Sequence, residues 1–315
     1  MAQLTHATNR TAAMLRHRCT ACGGCCQGVR VPLFNDDEVA LARAAGEQLG
    51  VPDPIDGAGL RMEHGRCVFL TDDDRCRIHA TLGPAAKPIP CQQFPLIAIA
   101  DGDDVRVGID PASYGAWQTW RDGPPIPDGP VVAGRLPETS PVERTLVALC
   151  EQPDVSTGAV LATLVRESTE ARQLPESFAH RWATHLHGLD FDDFLGREGP
   201  GRRLIDALRP LAAASQEWAD GAPALTLPGD LDAWVVEATR RVLWLRLLPD
   251  IANPTVAAML CLGGGIAASW TSPDPSVAHD AFTAWLRALR FDLFWQGLAK
   301  DQATVLWLAT GQRID

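Results

Sequence analysis

Seven cysteines fall before residue 92, and they limit what this chain can fold into more than any other feature. They run as Cys19-x2-Cys22-x2-Cys25-Cys26, then Cys67, Cys76 and Cys91. Sulfurs this dense cross-link, hold metal or remain inert thiols. Seven is an odd number for disulfides, and vicinal cysteines rarely pair with one another. Residues 1–18 are polar and mixed, without the apolar stretch of a secretory signal, so a reducing cytoplasm is the expected compartment. There, clustered cysteines are expected to bind metal.

The spacing is specific. A C-x2-C turn brings two sulfurs to one ion, and Gly23 and Gly24 between Cys22 and Cys25 allow a left-handed backbone at little cost. Zinc sites use such pairs. Three cysteines at C-x2-C-x2-C also match the run found in 4Fe–4S proteins. Cys26 is harder to place, because adjacent side chains point apart; it serves a second metal or stays a structural thiol. Arg10, Arg16, Arg18 and Arg30 surround this group, and residues 1–35 hold no acid. Nearby guanidinium groups favour thiolate, though a basic arm is also simply a solvated one.

Residues 66–79 read as a β-hairpin around Asp72-Asp73-Asp74, with Cys67 facing Cys76 at a Cβ separation of roughly 4.5–5.5 Å. A one-residue slip would part them. The aspartates are expected as turn formers. Cys91 lies in Pro88-Ile-Pro-Cys91, a stiff segment suited to delivering a ligand. His79 is the best histidine to complete a mixed site, ahead of His17 and His64, although an outer or exposed role suits all three better.

Cys150 and Cys261 sit in apolar helical patterns and are expected in a core. The net charge of -11 argues against nucleic acid and anionic membrane as partners. The longest apolar run, Val256 to Trp270, is short for a membrane span. The fold class is mixed: a small irregular α+β metal-organised module over residues 1–125, then an all-helical domain over 126–315. A Pro/Gly-rich stretch at 121–130 marks the change. Ser140-Pro141-Val142-Glu143 is a helix start. Helices are predicted at 141–151, 157–172, 175–187, 202–219, 231–247, 254–269, 275–290 and 291–309. His180, His185 and His187 do not share a helix face. Gly263-Gly264-Gly265 is predicted to permit close helix contact, because a nucleotide loop needs a preceding strand. The tryptophans recur at helical spacing and belong in the core.

The stretches Arg18-Cys-Thr-Ala-Cys-Gly-Gly-Cys-Cys26, Cys67-Val-Phe-Leu70, Cys76-Arg-Ile-His79 and Pro90-Cys-Gln-Gln-Phe-Pro95 resemble the YkgJ-type cysteine-cluster family over residues 18–97. That resemblance implies zinc or iron chelation by Cys19, Cys22, Cys25, Cys26, Cys67, Cys76 and Cys91. It extends more distantly to the flagellin lysine N-methylases, implying an iron–sulfur cluster, S-adenosylmethionine and a protein lysine substrate. No motif in residues 125–315 carries that activity, and Lys87-Pro88 stands where many members have arginine. Three roles follow: a metal-binding module, an iron–sulfur and S-adenosylmethionine-dependent enzyme, or a protein whose helical part docks a protein partner around a structural metal.

Overall fold

A computed structural model describes residues 15–298, apart from 21, 29, 103, 127–133, 136–139, 166–175, 197–201, 219–226, 249–250 and 252. The chain divides into two compact units. One comprises Met1–Arg135 with Arg197–Ile205, the other Leu136–Gly196 with Asp206–Asp315.

The first unit is mixed, as the sequence predicts. Its longest helix, α1 (Asp36–Leu49), starts where the Asn35 side chain accepts from the Glu38 amide at 3.0 Å, while Glu38 Oε2 accepts from the Phe34 amide at 2.6 Å. Two otherwise unpaired amides are thereby satisfied. Gly50, in left-handed conformation, ends it. Four two-residue strands follow. β1 (Ile55–Asp56) pairs with β2 (Gly59–Leu60), and β3 (Met62–Glu63) with β4 (Arg66–Cys67). A π-helical turn (Ile78–Leu82) and a 3-10 turn (Pro84–Ala86) lead into α2 (Ile89–Gln93). Ala42 and Ala45 of α1, with Leu60, Cys67, Phe69 and Ile78, form the core of this part.

A six-residue hairpin of β5 (Leu96–Asp101) and β6 (Asp104–Ile109) turns at Gly102, whose φ is 62°. The alternation of buried and half-buried residues along β5 is that of a one-sided sheet. The short α3 (Ala116–Thr119) follows, and β7 (Gly134–Arg135) adds parallel to β5. The stretch expected as a linker is partly tied down: Arg16 bridges to Pro125, and the His17 amide donates to Pro124 O.

The second unit is helical: α4 (Pro141–Cys150), α5 (Thr157–Val165), α6 (Glu176–His187), α7 (Phe191–Leu195), α8 (Arg202–Glu217), α9 (Gly229–Trp244), α10 (Pro254–Ser269), α11 (Pro275–Ala288) and α12 (Asp292–Leu298). The first residues of α8 belong to the first unit. Residues 166–172 and 299–309 of the predicted helices lie outside the described residues. The sequence reading missed α7, a single turn started by the Asp190 side chain on the Asp193 amide. Ser140 caps α4 on the Glu143 amide, as its motif requires.

α10 is buried on all sides from Val256 to Ala268, which suits a central helix with no polar face. Its three glycines face three neighbours. A Cβ on Gly263 would meet Trp182 at 2.6 Å, on Gly264 Trp285 at 2.2 Å, and on Gly265 Val235 at 2.4 Å. The indoles bond to this helix, Trp182 Nε1 donating to Gly263 O and Trp285 Nε1 to Leu260 O. Close helix contact is therefore what the glycines permit. Cys150 and Cys261 are buried here, and His185 and His187 bond to the carbonyls of Leu298 and Ser215. No described helix is long and apolar enough to cross a membrane.

Candidate metal centre

The cysteine turn is built on its glycines. Gly23 has φ 65°, and a Cβ there would stand 2.0 Å from the carbonyl oxygen of Asp74. Gly24 opens a 3-10 turn that carries Cys25 and Cys26, closed by the Cys26 amide on Gly23 O at 2.9 Å. A Cβ on Gly24 would stand 2.4 Å from Tyr114 Cδ2. The turn is thus pressed between the Asp74 backbone and the ring of Tyr114, the only tyrosine in the chain.

Arg203 joins that contact, its Cδ lying 3.0 Å from where a Cβ on Gly24 would stand. The Arg203 guanidinium lies 4.5 Å from the Tyr114 ring centre, in cation–π contact. The Arg203 amide donates to Oε1 of Gln27, a side chain 1% exposed, at 2.9 Å. Sequence reasoning missed Tyr114, Gln27 and Arg203. The uniqueness of Tyr114 is the one hint it carries.

The approach to Cys19 is fixed too. His17 Nδ1 lies 3.1 Å from Thr119 Oγ1, which also accepts from the Arg18 amide at 3.3 Å. Cys19 is exposed, while Cys22 and Cys25 are half-buried. Cys25 Sγ lies 3.4 Å from Ser113 Oγ.

The predicted hairpin register is corrected. Cys67 pairs with Met62 rather than Cys76, and Cys76 bridges to Leu70. The cause is a tight turn directly after β4, where the Leu70 amide donates to Cys67 O at 2.9 Å. Thr71 to Arg75 then forms a second turn, with Asp74 at φ 62°, so the three aspartates are turn formers. Cys67 and Cys76 nevertheless remain electrostatic neighbours, through the core rather than across a ladder.

Cys19, Cys22, Cys25, Cys26, Cys76 and Cys91, with His17 and His79, line one cavity of about 330 Å³. The seventh cysteine, Cys67, is buried in the adjoining core, against which Cys26, Cys76 and Cys91 also pack. His64 lies on an exposed turn at φ 48° and does not line the cavity. All nine cysteines are thiols.

Five sulfurs form an electrostatically linked set. Burial, then the charges of Cys67, Cys25, Cys91 and Cys76, push the Cys26 thiol far up. Burial pushes Cys67 up to about 11, against a hydrogen bond from the Phe69 backbone and with Cys76 adding to the rise. Burial and Cys67 push Cys91 up to about 12, with Lys87 opposing. Such thiols hold their protons at neutral pH unless a cation supplies the missing charge. Among the described residues, no three His, Cys, Asp or Glu side chains yet converge closely enough to hold an ion. The donor set itself, thiols with two imidazoles, is the set that zinc and iron prefer. Closing these donors around an ion would need side-chain rotation at the lining positions.

Residues 18–109 match the CxxCxxCC family model, whose description is "putative zinc- or iron-chelating domain". That stretch ends with β6 and takes in all seven cysteines. Neither the search of curated proteins nor that of solved structures returned a significant match. The match supports a cysteine-cluster domain and metal binding.

Proposed function

We propose that this protein binds zinc or iron through its N-terminal thiolates, in two groups. Cys26, Cys67, Cys76 and Cys91 are the inner group: four sulfurs, the number a closed tetrahedral site takes. Cys19, Cys22 and Cys25 are the outer group, one donor short of closure. The vicinal pair is divided between them. Cys26 packs against the core, and Cys25 sits beside Ser113.

The observation that carries this reading is the gathering of six cysteines from three separate segments around one cavity, with the seventh in the core beside it. Bound metal would offset part of the charge of the buried thiolates and add its binding free energy to folding. The test is metal and acid-labile sulfide content on protein purified without oxygen, for the parent chain and for Cys67→Ser and Cys22→Ser. The expected result is loss of one equivalent in each variant, from different sites. Metal-free parent protein, or variants with undiminished metal, would overturn it.

A second reading has one observation in its favour. The outer trio has no fourth sulfur of its own and lines a cavity large enough for an organic molecule; an iron–sulfur cluster held by those three would keep one iron open, as an enzyme using S-adenosylmethionine requires. Iron with equimolar sulfide, and reductive cleavage of S-adenosylmethionine, would establish it. Zinc without sulfide would end it.

A further inference from the structure

The outer trio of cysteines lacks a fourth sulfur, and two imidazoles line the same cavity. The two rings differ in how they are held. His79 is exposed on its π-helical turn, and among the described residues no hydrogen bond fixes its ring. His17 is half-buried. Its Cε1 lies 3.5 Å from where a Cβ on Gly115 would stand, and its Nδ1 lies 3.1 Å from Thr119 Oγ1.

The direction of that last bond follows from its neighbour. Thr119 Oγ1 also lies 2.9 Å from the carbonyl oxygen of Gly115. A carbonyl cannot donate, so the single hydroxyl proton goes to Gly115 O. The hydroxyl oxygen then only accepts, from the Arg18 amide at 3.3 Å and from His17 Nδ1. In the neutral ring, a proton on Nδ1 places the lone pair on Nε2. An imidazole that gives its other N–H to a fixed oxygen is oriented as metal-binding histidines are.

The ring also stands with the outer sulfurs rather than the inner ones. Cys25 Sγ meets Ser113 Oγ at 3.4 Å, and the His17 ring meets Gly115 and Thr119, so both rest on residues 113–119. Cys26, Cys76 and Cys91 pack instead against the core that holds Cys67. His17 and Cys19 are two residues apart, and side chains at that spacing share a face of extended chain. Arg16, just before them, forms an antiparallel bridge to Pro125.

We infer that Nε2 of His17 is the fourth ligand of the outer site, which with Cys19, Cys22 and Cys25 makes a Cys3His set. This deepens the two-group metal-binding reading and rests on it. A site closed by His17 keeps no position open for S-adenosylmethionine.

The test is nuclear magnetic resonance of the full chain loaded with cadmium-113, with cadmium content measured in each sample. One bound cadmium shows scalar coupling to the ring protons of His17, which are assigned through its own Cβ. A second couples to cysteine β protons alone. His17→Asn keeps an amide where Nδ1 stands, and so a donor to Thr119, but deletes Nε2. It weakens the outer ion by at least the roughly 10- to 100-fold typical of losing a group that only orients a ligand, and it leaves the inner ion in place. His79→Asn keeps both ions and the coupling. No coupling to His17 in the loaded parent, or undiminished outer binding in His17→Asn, overturns the inference; two ions bound by sulfur alone leave the two-group reading standing. A single ion coupled to His17 keeps the inference and overturns the division into two groups. A chain that takes up no cadmium overturns both.

Discussion

Replacing Gly264 with alanine adds one methyl group, and its surroundings fix the sign of the result. The new Cβ would lie 2.2 Å from both Cδ1 and Nε1 of Trp285. That ring is fully buried, and its Nε1 donates to Leu260 O at 2.9 Å. Its edges meet Trp182 at 6.0 Å and Phe294 at 5.3 Å between ring centres, so it cannot yield without disturbing two further aromatics. Alanine raises helix propensity by about 1 kcal/mol. Overpacking a dense core costs about 1–3 kcal/mol, and displacing the indole from its carbonyl leaves buried polar groups worth about 1–3 kcal/mol. The net is a loss of about 2 kcal/mol, or a melting point lower by roughly 4–8 °C for a unit of this size. Thermal melts of the full chain by near-ultraviolet circular dichroism read it, with metal content unchanged in parallel. A melting point that rises, as for an exposed helical glycine, would show that the ring has room and refute the packing account.

Tyr114→Leu removes the ring that holds Gly24 in place, and metal affinity should fall about 10- to 100-fold, as for other residues that orient ligands; competition with a chromophoric chelator measures this, and an unchanged affinity would show that the turn stands without the ring. Glu237 is held below the usual carboxylate range: burial alone would raise it, but Arg240 and Arg241, bonded to it at 2.6–2.9 Å, prevail. Glu237→Gln leaves two largely buried guanidinium groups without that charge and should cost about 3 kcal/mol in urea unfolding; in the parent, this contribution is lost as pH falls through the depressed carboxyl value, below 4.5. Burial pushes His185 below its ordinary value of 6.5, so the unfolded chain takes up the proton first. Stability is therefore unaffected above pH 6.5 and falls below it, and His185→Gln should flatten that slope in melts between pH 5 and 7, where an unaltered slope counts against the assignment.

Some of this was legible in the sequence because the cause was local. The α10 glycines sit in a run with no polar face and no preceding strand, so a buried helix with close neighbours was a better account of them than a nucleotide loop. The Gly23 turn was equally readable, since C-x2-C spacing with glycine names its own backbone. The hairpin register was not. It hangs on a tight turn at Cys67–Leu70 that follows from no turn-forming residue, so the turn that does close over the aspartates joins Leu70, not Cys67, to Cys76. Tyr114 and Arg203 were invisible for another reason. They are 89 residues apart, each meets the cysteine turn only in three dimensions, and neither has a pattern around it. The division of Cys25 from Cys26 is of the same kind: adjacency says they part, and only the fold says toward what.

Residues 197–205 have a consequence for how this chain can be cut. They belong with the cysteine unit, although the sequence on both sides of them belongs to the helical one. The polypeptide therefore passes from one unit to the other three times, and no single cleavage separates them whole. A fragment ending near residue 125 keeps the seven clustered cysteines but loses the amide on Gln27 and the guanidinium on Tyr114. The stretch that matches the CxxCxxCC model, residues 18–109, is shorter still and lacks Tyr114 itself. The cysteines are thus portable as a pattern, but in this protein the scaffold beneath them is completed by chain drawn from elsewhere, and expression of the module alone exposes a face that was never meant to meet water.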